Sequence, residues 1–105
     1  MKFYLAGKIS GNPNYKQDFA KAEKALREVL KNPWEICPIL SPAFLPEGMK
    51  RADYMRICFA MVDSADCVVL LPNATESDGA MLEKNYAEYI GKFVLHIDVK
   101  NKKVF

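Results

Sequence analysis

The chain has a single histidine, and its three cysteines, Cys37, Cys58 and Cys67, are far apart. Neither residue type shows metal-ligand spacing, so no metal site is implied. It also lacks an excess of either charge. The 15 basic and 13 acidic residues leave a net charge of +2 spread along the sequence, which excludes a dense basic field for a nucleic-acid polymer. No apolar run approaches the length of a membrane span, and MKFYLAGKIS is too short in apolar residues for a signal peptide. An odd cysteine count, with two of the three in apolar runs, fits free thiols in a reducing cytoplasm. The triplet Asn73-Ala74-Thr75 spells a glycosylation acceptor, which in that compartment is a coincidence.

What is present is the balance of a soluble globular domain: half of the 105 residues are hydrophobic and about a quarter are charged. That length suits one domain, 1–105, with one core. Strand-like and helix-like segments alternate, the signature of a parallel sheet covered on both faces. Lys2 to Ala6 reads as a strand stopping at Gly7. Tyr15 to Leu30 carries Phe19, Ala22, Ala25, Leu26, Val29 and Leu30 at helical spacing, and Asn32-Pro33 ends that helix. Trp34 to Cys37 is a candidate second strand. Pro38, Pro42, Pro46 and Gly48 then exclude helix or central strand and predict a long loop, either a simple crossover or a cover over a site.

A second helix is expected over Arg51 to Ser64, a buried parallel strand over Cys67 to Leu71, a third helix from Gly79 to about Gly91 and a last strand over Phe93 to Ile97. Asp98 to Phe105 reads as a turn with a short edge strand or as an arm onto a second subunit. Met49, Met55, Met61 and Met81 read as core or pocket filling. His96, at a strand end, reads as structural.

The third helix holds the most informative residue. At 100° per residue, Ala80, Tyr86, Ala87 and Ile90 fall within about 60° of Glu83, which places a carboxylate in the middle of the apolar stripe. Burial without a partner costs several kcal/mol or forces protonation, and a helix N-terminus returns only ~0.3–1 kcal/mol. Glu83 is therefore expected either to face a crevice at the carboxyl ends of the strands or to be neutralised by Lys8, Arg51 or Arg56. Two loops leave from such ends. Gly7-Lys8-Ile9-Ser10-Gly11 offers glycines, a hydroxyl and a cation before a helix, the parts of an oxyanion cradle, although it is neither a P-loop nor a dinucleotide fingerprint and a plain tight turn is the alternative. Ser77-Asp78-Gly79 opens the third helix, where free N–H groups can hold an anion or sugar hydroxyls, or where Ser77 or Asp78 serves as the cap.

Taken together, Tyr4-Leu5-Ala6-Gly7-Lys8-Ile9-Ser10-Gly11, Ala65-Asp66-Cys67-Val68-Val69-Leu70-Leu71 and Ser77-Asp78-Gly79-Ala80-Met81-Leu82-Glu83 resemble the nucleoside 2-deoxyribosyltransferase superfamily over nearly the whole chain. The likeness is closest to its short, often phage-borne branch, and the chain is also similar to the 2'-deoxynucleoside 5'-phosphate N-hydrolases. The resemblance implies an α/β fold, a flavodoxin-like or Rossmann-like three-layer sandwich with a mainly parallel sheet of four or five strands. It implies that Glu83 is the nucleophile at the anomeric carbon, that Tyr4 is the first-strand tyrosine, and that Ser77 contacts a 5'-phosphate, with Gly7, Gly11 and Gly79 also coinciding. No cofactor is implied. The expected partner is a small nucleoside or nucleotide, and the expected assembly is a homodimer or larger homo-oligomer.

The chain departs from the family's pattern at Cys58 and, relative to the hydrolase branch, at Lys8 and Ser10. The aspartate that protonates the departing base belongs eight residues before Asp66, where this sequence has Cys58. A thiol with a reference pKa of ~8.5 substitutes poorly for a carboxylic acid. Asp53 and Asp63 lie about 140° around the helix from it. The hydrolase loop's arginine is Ser10 here. Two functions stay open: cleavage or exchange of an N-glycosidic bond through Glu83, and a nucleotide-binding module that has lost its chemistry. A structural subunit with an incidental crevice is the third and weakest reading.

Overall fold

The computed structural model describes residues 1–31 and 36–105. Its elements, in chain order, are β1 (Phe3–Ala6), α1 (Tyr15–Val29), β2 (Ile39–Leu40), α2 (Arg51–Ser64), β3 (Cys67–Leu70), α3 (Asp78–Tyr89), β4 (Phe93–Asp98) and β5 (Lys103–Val104). Single 3-10 turns at Pro42–Phe44 and Ala74–Glu76 punctuate the loops. The strands form one sheet in the order β2-β1-β3-β4-β5, parallel except for the antiparallel β4–β5 pair. The fold is a three-layer α/β sandwich.

The layers follow from the alternation of side chains along the strands. Phe3 and Leu5 of β1 and Cys67 and Val69 of β3 meet Phe19, Ala22, Ala25 and Leu26 of α1. Tyr4 and Ala6, with Val68 and Leu70, meet Cys58 and Val62 of α2 and Ala80 and Ala87 of α3. Because β1 and β3 are buried on both faces, they are near-continuous apolar runs, as parallel strands covered by helices require. The chain turns outward from β1 to β2 over α1, then crosses back to β3 and β4 over α2 and α3. This reversal puts a topological switch point between β1 and β3, from whose carboxyl ends the loops at 7–14 and 71–77 both depart.

Most expected bounds agree with the structure to within one or two residues, and the second strand does not. It lies at Ile39–Leu40, inside the expected proline-rich loop, and Cys37 precedes it outside any strand. Prolines at 38 and 42 are compatible with this position because β2 is a two-residue edge strand, paired only with β1, and the Pro38 carbonyl accepts from Phe3 N–H at 2.9 Å. Asn32, Pro33, Trp34 and Glu35, on which the helix stop and the start of the expected strand fall, lie outside the described residues. Residues 98–105 form a turn and an edge strand that contacts α1. No helix among the described residues is long and apolar enough to cross a membrane.

Candidate functional site

The helical wheel of α3 is borne out at its centre: Ala80, Glu83 and Ala87 are the helix's buried residues, and Glu83 is only 5% exposed. Ile90 departs from the expected stripe. It is the C-cap of α3 rather than a residue of its last turn, and it remains 38% exposed. Ser77 sets where the helix starts by accepting from Ala80 N–H at 3.1 Å, and it is therefore the cap; Asp78 is exposed in the first turn.

Glu83 faces Tyr4 and Cys58, one group from each element packed around it. All three are buried, Tyr4 completely. No lysine or arginine among the described residues forms an ion pair with Glu83. Arg56, one of the cations that could have neutralised it, pairs instead with Asp53 at 3.1 Å. Burial raises the Glu83 carboxyl, and the Tyr4 hydroxyl and Cys58 thiol, both able to donate toward it, act in the opposite direction and leave it at about 7. The same burial raises the Cys58 thiol to about 11 and pushes the Tyr4 phenol well above its usual range. Although the three groups influence one another, the Tyr4 hydroxyl makes no hydrogen bond of regular geometry among the described residues and is there a fully buried, unpartnered polar atom. Such groups are rare in native interiors, and each calls for a partner such as water or a ligand.

The partly buried side chains packed against the apolar cluster that holds Tyr4 and Cys58 are Leu40, Leu45, Met61, Met81, Tyr86 and Val94. Leu45 belongs to the proline-rich loop, so part of that loop does cover the cluster containing Tyr4 and Cys58. Tyr54 holds the loop to α2 by donating to the Pro46 carbonyl and accepting from Met49 N–H at 3.3 Å. The other acids of α2 are engaged elsewhere: Asp53 with Arg56, and Asp63 as acceptor for the Tyr86 hydroxyl at 2.6 Å. Neither substitutes for Cys58 beside Glu83.

The loop after β1 is attached to the site at one remove. Gly7 is required there, because a Cβ would meet Leu71 Cδ2 at 2.9 Å and Asn73 Oδ1 at 3.2 Å. Gly11 has φ +74°, a turn conformation that other residues rarely adopt. Lys8 N–H donates to Asn73 Oδ1 at 3.1 Å. Ile9 packs against the α1-side cluster, on the sheet face opposite Glu83, and Ser10 and Gly11 are exposed. At Gly79 a Cβ would meet only ordinary contacts, Met55 Sδ at 3.6 Å and Ser77 Oγ at 3.8 Å, so the free chain does not demand glycine there. Thus Tyr4, Cys58 and Glu83 form one cluster, Ser77 and Gly79 open its helix, and Lys8 to Gly11 join through Asn73.

Two hollows stand out among the described residues, and neither is lined by Glu83. The larger, about 830 Å³, lies between α1 and the loop at 41–47; the smaller, about 280 Å³, lies at the carboxyl ends of β3 and β4 and is lined by Leu70, Thr75, His96 and Phe105 among others. His96 stacks on Phe105 with ring centroids 5.4 Å apart. Among the described residues no three His, Cys, Asp or Glu side chains converge as a metal site would require.

Residues 1–96 match the family model described as Domain of unknown function (DUF4406). The chain belongs to that family. The DUF4406 match runs from before β1 into β4 and contains Tyr4, Cys58, Ser77 and Glu83. No curated protein matches the chain.

Sequence reasoning missed Asn12, Asp18 and Asn73, which tie the two loops together. The only signal was Asn73 itself, an amide immediately after the strand-ending proline, noticed only as part of a glycosylation triplet.

Proposed function

We propose that this protein is a nucleoside 2-deoxyribosyltransferase-like enzyme that cleaves or transfers the N-glycosidic bond of a deoxynucleoside or its 5'-monophosphate. The observation that carries the reading is a buried carboxyl at Glu83 that, among the described residues, has no cationic partner and lies beside the unpartnered Tyr4 hydroxyl. A carboxyl kept buried at that cost without a cation to neutralise it has the character of a reactive residue. In the proposed reaction a Glu83 carboxylate oxygen attacks the anomeric carbon as the carbon–nitrogen bond breaks, and the base leaves with the bonding electron pair and takes up a proton. Water or a second base then displaces the ester, returning the carboxylate. Tyr4 donates to whichever oxygen of Glu83 is not forming the bond. Ser77, whose oxygen already accepts from Ala80, retains its hydroxyl proton for a phosphate or sugar oxygen.

With 5% exposure, Glu83 meets a sugar only after the side chains that cover it move aside. The unbound chain is then the closed form. Leu82, Tyr89 and Phe93, all more than half exposed on or just after α3, suit contact with a second copy, and we assign the homo-oligomer interface to this side. Three free cysteines fit a reducing cytoplasm.

Cys58 favours a second reading. A thiol raised to about 11 is a poor acid for the departing base, which suits a protein that binds nucleotides without turning them over. Chromatography of free base after incubation with each deoxynucleoside and deoxynucleoside monophosphate separates the two. Release by the wild type and its loss in Glu83→Gln supports the enzyme, whereas undiminished release by the variant excludes Glu83 as nucleophile. Binding of these compounds without release selects the second reading.

A further inference from the structure

Asn73 follows the proline that ends β3, and its side-chain amide reaches across the switch point between β1 and β3. Its Oδ1 accepts Lys8 N–H at 3.1 Å, while its Nδ2 points at Asp18 Oδ2 on α1 over a long 3.5 Å. The same Asp18 oxygen accepts from Asn12 Nδ2 at 2.9 Å; that amide also donates to the Lys8 carbonyl at 3.0 Å, and its Oδ1 accepts Asn14 N–H at 3.1 Å. Each amide orientation is fixed by its partners: both Asn12 Nδ2 and Asn73 Nδ2 face a carboxylate, which can only accept, and both Oδ1 atoms face backbone N–H groups, which can only donate. The contacts span 55 and 65 residues of sequence and connect three segments: the loop after β1, the first turn of α1 and the loop leading to α3. Gly7 lets the two loops approach, and Asn73 and Asp18 hold them there.

We infer that Asn73 and Asp18 are positioning residues that lock the loop at 7–14 onto the loop at 71–77, so that both present their backbone to one ligand. The kinetic consequence rests on the glycosidase reading, and the structural consequence does not. Asp18 is half-buried and accepts from two neutral amides, with no basic side chain paired to it among the described residues. Its shape and acceptor, rather than its charge, therefore do the fastening, and an asparagine at 18 keeps both through its own Oδ1. The triplet at 73–75 becomes intelligible as well, because its asparagine amide is half-buried and directed at Asp18 instead of at solvent.

Amide hydrogen exchange followed by mass spectrometry tests the lock without any ligand. Asn73→Ala and Asp18→Ala are expected to raise exchange in residues 8–14 about tenfold, the equivalent of one lost hydrogen bond, with β3 and α2 unchanged, and Asp18→Asn to restore protection. Wild-type exchange across 8–14 in both alanine variants would overturn the proposal. With an active wild type, the two alanine variants raise KM for a deoxynucleoside monophosphate about tenfold and leave kcat within about twofold, and Asp18→Asn recovers KM. A fall in kcat at unchanged KM would also overturn it. If the wild type releases no base from any deoxynucleoside or monophosphate, the glycosidase reading fails and hydrogen exchange alone decides the lock.

Discussion

The two faces of the sheet are made from the same strands, yet they are built for different ends. Toward α1, the buried cluster consists of apolar side chains, Phe3, Leu5, Phe19, Leu26 and Val69 among them, and one thiol, Cys67, that burial raises to about 11; it contains no carboxyl or phenol. Toward α2 and α3, Tyr4, Cys58 and Glu83 interrupt an otherwise similar apolar cluster with a phenol, a thiol and a carboxyl. The first arrangement maximises burial. The second gives up stability to keep a carboxyl buried. That difference teaches where function resides more plainly than the hollows do, since the larger hollow lies on the α1 side, away from any such group.

Substitutions that treat the faces oppositely sharpen the contrast. The largest effect is expected at Glu83 in turnover: Glu83→Gln preserves shape, removes the nucleophile and should lower base release by ~10³-fold or more, measured chromatographically. On the other face, Phe19→Ala should cost about 3–5 kcal/mol in denaturant unfolding, equally at pH 5 and pH 8, because it empties a fully buried aromatic site whose one ionisable neighbour in the cluster, the Cys67 thiol, is raised to about 11.

Glu83→Gln should in contrast stabilise the fold, in a pH-dependent way. The folded carboxyl binds its proton up to about pH 7, and the unfolded one only to its ordinary value near 4.5. Between those values the native state holds the extra proton, so wild-type stability falls as pH rises through that window, with the full penalty reached above about pH 7. The variant lacks this penalty. Thermal melts should show it more stable than wild type by ~3 kcal/mol at pH 8, with no difference below pH 4.5. A difference that does not vary with pH would show that the two faces are not energetically distinct.

How much of this was legible depended on whether the signal was local. Glu83's burial could be read from Ala80 and Ala87, because one helix turn carries the pattern. β1, β3 and all three helices were readable for the same reason. The two-residue β2 was not, since Ile39–Leu40 becomes a strand by pairing with Phe3 and Tyr4, far away in sequence, and its flanking prolines argue locally against a strand. Nor was the meeting of Tyr4 with Glu83, or of Asn73 with Lys8 and Asp18, because such contacts join distant segments. Helical spacing marks Cys58 only as a residue of the apolar face of α2, and its thiol lies beside Glu83 because the two helices pack together on the sheet.

Two smaller effects complete the comparison. Cys58→Asp would set a second carboxyl beside Glu83, where like charges cannot both ionise and one acid stays protonated. It should raise base release while costing about 1–3 kcal/mol in melts at pH 8. Ser77→Ala removes the cap of α3 and should cost about 1 kcal/mol by denaturant unfolding.

The most direct measurement is the mass of peptides from protein acid-quenched during incubation with a deoxynucleoside monophosphate. A pentose attached to Glu83 in the wild type, and absent from Glu83→Gln, is the predicted result. Base release with an unmodified Glu83 and an equally active Gln variant would contradict the account.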